Sequence, residues 1–420
     1  MTNLHESHEG IDIEVYLTGK GGLYEKEDID AHLQEILQDA IFAVRKYLGM
    51  NLGFISEFSN GRRTFKVVDS SNEDPIIKVG DSAPLEESYC QHVVDGRFPN
   101  LINDALMFNP ALDLKATEMS PVRAHASVPI RFSNGVIYGT FCCFSTEAGK
   151  ALNEKDLAIM NVFSEFAGRH IERARNHYRR SFEVSEKIRS IIDNGEMHPV
   201  YQPIFHVREN RIIGYESLTR FDVEPYRPPN LWFEAAKAVG LQVELEIVAI
   251  RAALKNMDQI PEDCYLAVNV SPATVMDPSF SDSVNNYPLD RVVLEVTEHA
   301  SVPDYDLFKN QLGKLRSLGA HLAIDDVGAG YSSLRHILEL SPDIIKLDRS
   351  LITQIDKRSD RRFMAGALIG FANDMNIKIV AEGIETIEEL NLLNELGVRK
   401  AQGYLLGRPL PIEEIQIQKI

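Results

Sequence analysis

In the C-terminal half of the chain, oxygen-bearing and cationic side chains recur at the ends of short apolar runs. They are Glu216, Asn269, Glu295, the adjacent pair Asp325-Asp326, Lys346, Glu382 and Gln402. Successive spacings are 53, 26, 30, 20 (from Asp326), 36 and 20 residues. Apart from the first, which has room for two, each is about one strand–helix unit. Polar residues placed once per unit converge on one rim of a barrel. A single acid of this kind is ordinarily a surface or capping residue, but the whole set in phase with the repeat is not.

Five carboxylates at one mouth (Glu216, Glu295, Asp325, Asp326, Glu382) repel one another and are driven towards protonation unless cations offset them. With an amide oxygen and no His or Cys among them, the donors are hard oxygens suited to Mg²⁺ or Mn²⁺. The Asp pair could hold two ions, one carboxylate bridging. Two ions about 3.5–4 Å apart clamp the attacking and leaving oxygens of an in-line phosphoryl displacement. Lys346 would put a positive charge near the phosphate or orient the attacking water.

The elements that must position these residues are legible as alternating patterns. Strand-like runs at 212–218, 264–270, 292–296, 321–324, 344–347, 378–381 and 401–405 are interleaved with helical patterns at 232–239, 244–254, 306–318, 361–375 and 387–396. The alternation predicts an α/β fold, a TIM-like (β/α)8 barrel with its chemistry at the C-terminal rim. Upstream, Ile29, Leu33, Ile36, Leu37, Ala40, Ile41, Val44 and Leu48 form a helical stripe that Gly49 ends. Runs at 53–58 and 64–68, a helical segment at 85–94, and runs at 124–132 and 136–144 flanking Ser133-Asn134-Gly135 predict an α+β domain with an antiparallel sheet closed by a hairpin.

Between the two regions, 153–193 is helical in pattern, without Pro and with Gly168 as its one glycine. It reads either as one rod of about 40 residues between domains or as two helices broken near Gly168 or Ser181. Arg173, Arg175, Arg179 and Arg180 read as a solvated face. The expected domains are an N-terminal segment 1–28, a sensor-like domain 29–152 whose final helix could run to 172, a linker helix 153–193 and the barrel 194–420.

The 420 residues carry 62 acidic and 44 basic side chains, a net charge of −18. That balance opposes a nucleic-acid polymer as partner, because phosphate backbones need a concentrated basic face. An apolar content of 44% excludes a disordered chain. Four cysteines without C-x-x-C spacing are not a disulfide framework. Met1–Gly10 has no apolar core for a signal peptide, and no run approaches a membrane span. A cytoplasmic protein without membrane insertion is expected. His5-x-x-His8 has metal-like spacing but lies in a polar tail.

Residues ~185–415 resemble the EAL domain, the bacterial family that cleaves cyclic di-GMP. In chain order the matching motifs are Tyr201-Gln202-Pro203-Ile204; Glu216-Ser217-Leu218-Thr219-Arg220 at the signature E-A-L-x-R; Asn269-Val270-Ser271-Pro272; and Glu295-Val296-Thr297-Glu298. They continue with Asp325-Asp326-Val327-Gly328-Ala329-Gly330, Asp343-Ile344-Ile345-Lys346-Leu347-Asp348, Ala381-Glu382-Gly383, and Gln402-Gly403-Tyr404 with Arg408-Pro409-Leu410-Pro411.

The resemblance implies a phosphodiesterase that opens cyclic di-GMP to linear pGpG with two Mg²⁺ or Mn²⁺ per site. Glu216, Asn269, Glu295 and Asp325 would hold the first ion; Asp325, Asp326 and Glu382 would hold or orient the second, with Glu382 as ligand or general base. Lys346 would hold the nucleophilic water. Gln202, Leu218, Arg220 and Gln402 would contact or line the substrate site, and Glu298 would brace the Asp325-Asp326 loop. Ser217 replaces the family's usual alanine, and Val327 and Ala329 replace Phe and Thr. No ligand position is substituted, which favours an active enzyme over its alternative, a weak or inactive cyclic di-GMP receptor.

Residues ~29–172 resemble a GAF domain, which implies regulation, an unidentified small ligand, or dimerisation; the linker helix and the family make a homodimer the expected state. Cys90 or His92 could hold a haem, bilin or metal, although a core role is commoner. Cys142 and Cys143 are expected on opposite faces of their strand.

Overall fold

The computed structural model describes residues 26–114, 117, 122–147, 151–328 and 333–415. His5, His8 and Ala329 lie outside these residues. The chain divides into two compact units, parting between Ser181 and Phe182.

In the first unit, α1 (Lys26–Leu48) lays its apolar stripe, Leu37, Ala40, Ile41, Val44 and Leu48, into the core. The sheet consists of β1 (Leu52–Ser59), β2 (Arg62–Ser70), β3 (Ser82–Pro84), β4 (Leu101–Ile102), β5 (Ala124–Arg131) and β6 (Ile137–Ser145), in the order β3-β2-β1-β6-β5-β4 and antiparallel throughout. The expected 85–94 helix is a 3₁₀ turn followed by α2 (Tyr89–Val94), which Ser88 caps by accepting from the Gln91 N–H. Alternation along β6 puts Cys142 and Cys143 into two different apolar clusters, one on each face of the sheet.

One uninterrupted helix, α3 (Glu154–Asn194), follows. Gly168 does not break it: a Cβ there would lie 2.7 Å from the Arg131 carbonyl oxygen, so the glycine allows the helix to press against β5. Met160, Ala167 and Ile171 of α3 belong to a core cluster of the first unit, and Val184, Ile188 and Ile191 to one of the second. Arg173, Arg175, Arg179 and Arg180 are exposed.

The second unit is a closed eight-stranded barrel, with strands β7 (Met197–His206), β8 (Arg211–Phe221), β9 (Tyr265–Asn269), β10 (Val292–Thr297), β11 (His321–Val327), β12 (Ile344–Leu347), β13 (Lys378–Ala381) and β14 (Lys400–Ala401). Helices α4 (Pro229–Ala238), α5 (Gln242–Leu254), α6 (Tyr305–Ser317), α7 (Ser333–Leu340), α8 (Ser359–Asp374) and α9 (Ile387–Glu395) alternate with them.

The barrel departs from (β/α)8 in one strand. β7 is antiparallel to both neighbours, β8 and β14, whereas the other contacts around the barrel are parallel. Pro199 and Pro203 disguise β7 in the sequence, since proline ordinarily argues against a central strand. The 53-residue gap after Glu216 holds two helices, α4 and α5, and no additional strand. Nor is Glu216 near a strand end: β8 runs on to Phe221 because β7 stays paired with it, from Met197↔Phe221 to His206↔Arg211.

Candidate active site

Lys346, the third residue of β12, is 1% exposed, and its ammonium is enclosed by carboxylates. Nζ lies 2.7 Å from Glu382, 2.9 Å from Glu295, 3.3 Å from Asp325 and 3.5 Å from Glu216. These acids come from β8, β10, β11 and the residue after β13. Register explains the convergence: Gln202 pairs with Glu216 across β7–β8, and Asn269 pairs with Glu295 across β9–β10.

Adjacent residues on a regular strand face opposite sides, so Asp325 and Asp326 would not normally share a site. The ladder between β11 and β12 shifts register between Ile324 and Val327, a bulge that contains both aspartates. Asp326 takes a left-handed backbone with φ of 60°, a conformation Asp tolerates better than most residues. Its N–H donates to Asp325 Oδ1 at 2.9 Å. The oxygens then fall into two clusters within metal-ligand reach, Glu216–Glu295–Asp325 and Asp325–Asp326–Glu382, with Asp325 common to both.

Supporting contacts fix this arrangement. Gln402 Nε2 donates to Glu216 Oε2 at 2.6 Å and to Gln202 Oε1 at 3.1 Å. Asn269 Nδ2 donates to Glu216 Oε1 at 3.2 Å, and Gln202 Nε2 to the Gly407 carbonyl at 3.0 Å. Glu298, fully buried, accepts from the Gly328 N–H at 3.2 Å, while its own N–H donates to the Asp325 carbonyl at 2.9 Å. Gly328 has φ of 109°, and a Cβ would meet Leu351 at 2.1 Å, so the chain leaving the aspartates requires glycine.

Leu218 and Arg220 do not join the acidic cluster. They lie further along β8 and line a cleft of about 350 Å³ with Phe233 and with Asn269, which itself donates to Glu216. Arg220 Nη1 donates to the Thr219 carbonyl at 3.0 Å. A second cleft, of about 670 Å³, brings Asn269, Glu295, Thr297 and His299 to its wall.

One supporting residue was not singled out in the sequence. Glu246 of α5 is 8% exposed and accepts from Ser271 N–H at 2.9 Å, Thr274 Oγ1 at 2.6 Å and Gln242 Nε2 at 2.9 Å, anchoring the chain just after Asn269. An acid among the buried positions on the apolar face of this helix was the available signal.

The electrostatics call for compensation. Burial works against the Lys346 charge, yet Asp325, Glu216, Glu295 and Glu382 hold its pKa well above the ordinary value. Burial pushes Glu295 and Glu382 well up, beyond what Lys346 offsets. Asp326 is raised to about 6 by burial and by the Asp325 and Asp348 charges. Five carboxylates against one ammonium leave four negative charges uncompensated, which two divalent cations would cancel. Carboxylate and amide oxygens without nitrogen or sulfur fit hard cations such as Mg²⁺ or Mn²⁺.

Fold and mouth together define a class: an eight-stranded α/β barrel with a buried lysine inside an acidic rim. Residues 185–409 match the EAL domain and residues 32–171 the GAF domain. The chain belongs to the EAL-domain family and carries a GAF domain before the barrel. It is 31% identical over 282 residues to the cyclic di-GMP phosphodiesterase NbdA of Pseudomonas aeruginosa, covering 64% of this chain and 35% of that protein. It is also 31% identical over 245 residues to the bifunctional diguanylate cyclase/cyclic di-GMP phosphodiesterase MucR of the same organism, covering 56% and 36%. The chain spans about a third to a half of the length of the curated relatives it matches. The solved PaMucR phosphodiesterase, in complex with c-di-GMP, superposes with a TM-score of 0.51 at 30% identity, covering 56% of this chain and 99% of that one. Among the described residues, no helix is long and apolar enough to cross a membrane.

Proposed function

We propose that the barrel hydrolyses cyclic di-GMP to linear pGpG with two hard divalent cations, and that the GAF domain regulates it. One observation carries the reading: two carboxylate clusters sharing Asp325 are wrapped around a buried lysine at the mouth of an EAL-family barrel.

Glu216, Asn269, Glu295 and Asp325 would hold one cation, and Asp325, Asp326 and Glu382 the other. When bound, the pair would supply charge stabilisation at the entering and leaving oxygens. Lys346 keeps its proton and serves as a fixed donor that orients the attacking water. Glu382, 2.7 Å from Lys346 Nζ, would act as a cation ligand or as the general base that takes a proton from that water. Water oxygen bonds to phosphorus, one ester P–O bond breaks, and the departing sugar oxygen takes up a proton, opening the ring. Arg220 offers a guanidinium fork to a phosphate, and Leu218 an apolar contact to a base. Gln402 holds Glu216 and Gln202 in place. The support for regulation is that α3 contributes side chains to the core of each unit.

The purified 420-residue chain should convert cyclic di-GMP to pGpG with Mg²⁺ or Mn²⁺ and lose that activity in chelator, as read by chromatography of the products. Binding without turnover across several divalent metals would replace this reading with a receptor.

Cation binding must also displace the proton that Asp326 holds. Because its pKa is raised to about 6 and those of Glu295 and Glu382 are also pushed well up, the apparent affinity for Mg²⁺ should fall by about tenfold or more per pH unit below pH 6. Calorimetric titration between pH 5 and 8 measures this directly.

A further inference from the structure

We propose that Cys90, His125 and Cys142 form a buried site in the GAF domain for one thiophilic cation, Zn²⁺ or Cu⁺. The residues come from three elements, α2, β5 and β6, and are 0%, 3% and 0% exposed. Their sulfur and nitrogen ligand atoms all lie within 4.8 Å of one another, and the two Sγ atoms are 3.3 Å apart, both as free thiols. A tetrahedral ion at ordinary bond lengths needs sulfurs ~3.8 Å apart and nitrogen ~3.6 Å from each. The two sulfurs would therefore part by about half an ångström to receive it, with the imidazole within reach of both.

Thiols alone pack as small apolar groups. The imidazole does not: His125 Nδ1 is buried without a hydrogen-bond partner, a costly state that a cation would relieve. Ser127 Oγ, 2.9 Å from Cys142 Sγ, lies on the same sheet face and is available as a fourth oxygen. Arg63 Nη1 donates to Cys90 Sγ at 3.2 Å. Burial opposes ionisation of Cys90, but the hydrogen bond from Cys142 and the Arg63 charge hold its pKa below the ordinary thiol value. Burial and the neighbouring Cys90 push Cys142 the other way. Thiolate, not thiol, is the metal ligand, so an entering cation expels thiol protons.

The two candidate ions differ in fit. With both sulfurs ionised, Cu⁺ and Arg63 give a neutral three-coordinate site, whereas Zn²⁺ would recruit the Ser127 oxygen as a fourth ligand. His92, the histidine singled out with Cys90 in the sequence, takes no part: its Nδ1 lies 3.0 Å from the Ser88 carbonyl. Cys90 and Cys142 are far apart in sequence, and the topology alone brings His125 to them.

The test uses the whole 420-residue chain, reduced, stripped of metal and kept free of oxygen. Co²⁺, as the optical substitute for Zn²⁺, and Cu⁺ are titrated separately, and sulfur-to-metal charge-transfer absorption is recorded. The barrel mouth offers oxygen ligands and cannot produce that band. One ion per chain is expected; saturation with Co²⁺, reversed by Zn²⁺, identifies zinc, and saturation with Cu⁺ alone identifies copper. Cys90→Ser or Cys142→Ser should weaken binding by more than about 100-fold, beyond the loss expected for a merely supporting residue. Absence of the band with both ions in the unsubstituted chain overturns the proposal and needs no variant to fold. A band undiminished in the double variant Cys90→Ser/Cys142→Ser does so as well.

Discussion

Glu216→Ala should leave the chain folded and lower kcat for cyclic di-GMP by about 10³-fold or more. The residue has no apolar role; its oxygens accept from Asn269 at 3.2 Å and Gln402 at 2.6 Å and stand 3.5 Å from Lys346. Its loss deletes one oxygen ligand of the first cluster and releases Asn269 and Gln402 from the hydrogen bonds that orient them. Transition-state charge stabilisation at such a centre is worth several kcal/mol, and about 4 kcal/mol corresponds to 10³-fold in rate. Because the substitution removes one of several crowded negative charges, the metal-free protein should melt no lower than the parent. That separates a role in cation binding from one in folding, where activity and stability would fall together. Retention of activity within tenfold, with unchanged cation stoichiometry by calorimetry, would contradict the assignment.

The candidate site was legible because its residue types recur in phase with a strand–helix repeat, and the repeat also announced the barrel. Two geometric devices were not visible in that pattern. β7 carries prolines that suppress strand character, so its antiparallel course emerges only from its pairing with β8 and β14. That pairing also carries β8 past Glu216 and sets Leu218 and Arg220 apart from the acids. The second device is the bulge at Asp325-Asp326. Period-two alternation would send these neighbours to opposite faces, and sequence spacing alone does not show how both reach one mouth. Glu246 escaped notice for a related reason: its partners, Ser271 and Thr274, lie beyond the next strand. In the N-terminal unit, the helix and hairpin follow local periodicity, whereas the Cys90–His125–Cys142 cluster depends on β5, β6 and α2 meeting, information that no local window contains.

Lys346→Met is expected to produce a large loss of stability, greatest when cations are absent. Methionine, one atom shorter, keeps an unbranched apolar stem like that of lysine, so the core around β12 stays largely filled. What disappears is the single positive charge within 3.5 Å of four carboxylates. Removing one partner of a buried ionic cluster costs about 3–5 kcal/mol, which for a domain of this size lowers Tm by about 10 °C. The pH dependence has a definite sign. Burial already pushes Glu295 and Glu382 above their ordinary values, and without the ammonium they rise further. A carboxyl whose folded pKa exceeds its unfolded one binds an extra proton in the folded state. Folding then loses stability as pH rises from about 4 through the folded value. The deficit of the variant in chelator should therefore be small at pH 5 and grow towards pH 8. Saturating Mg²⁺ should narrow it, since cations would supply the missing positive charge. Thermal unfolding of parent and variant at both pH values, with chelator and with Mg²⁺, gives four differences to compare. If the deficit is equal in all four, Lys346 acts through packing and the acidic mouth is not the electrostatic centre assigned to it.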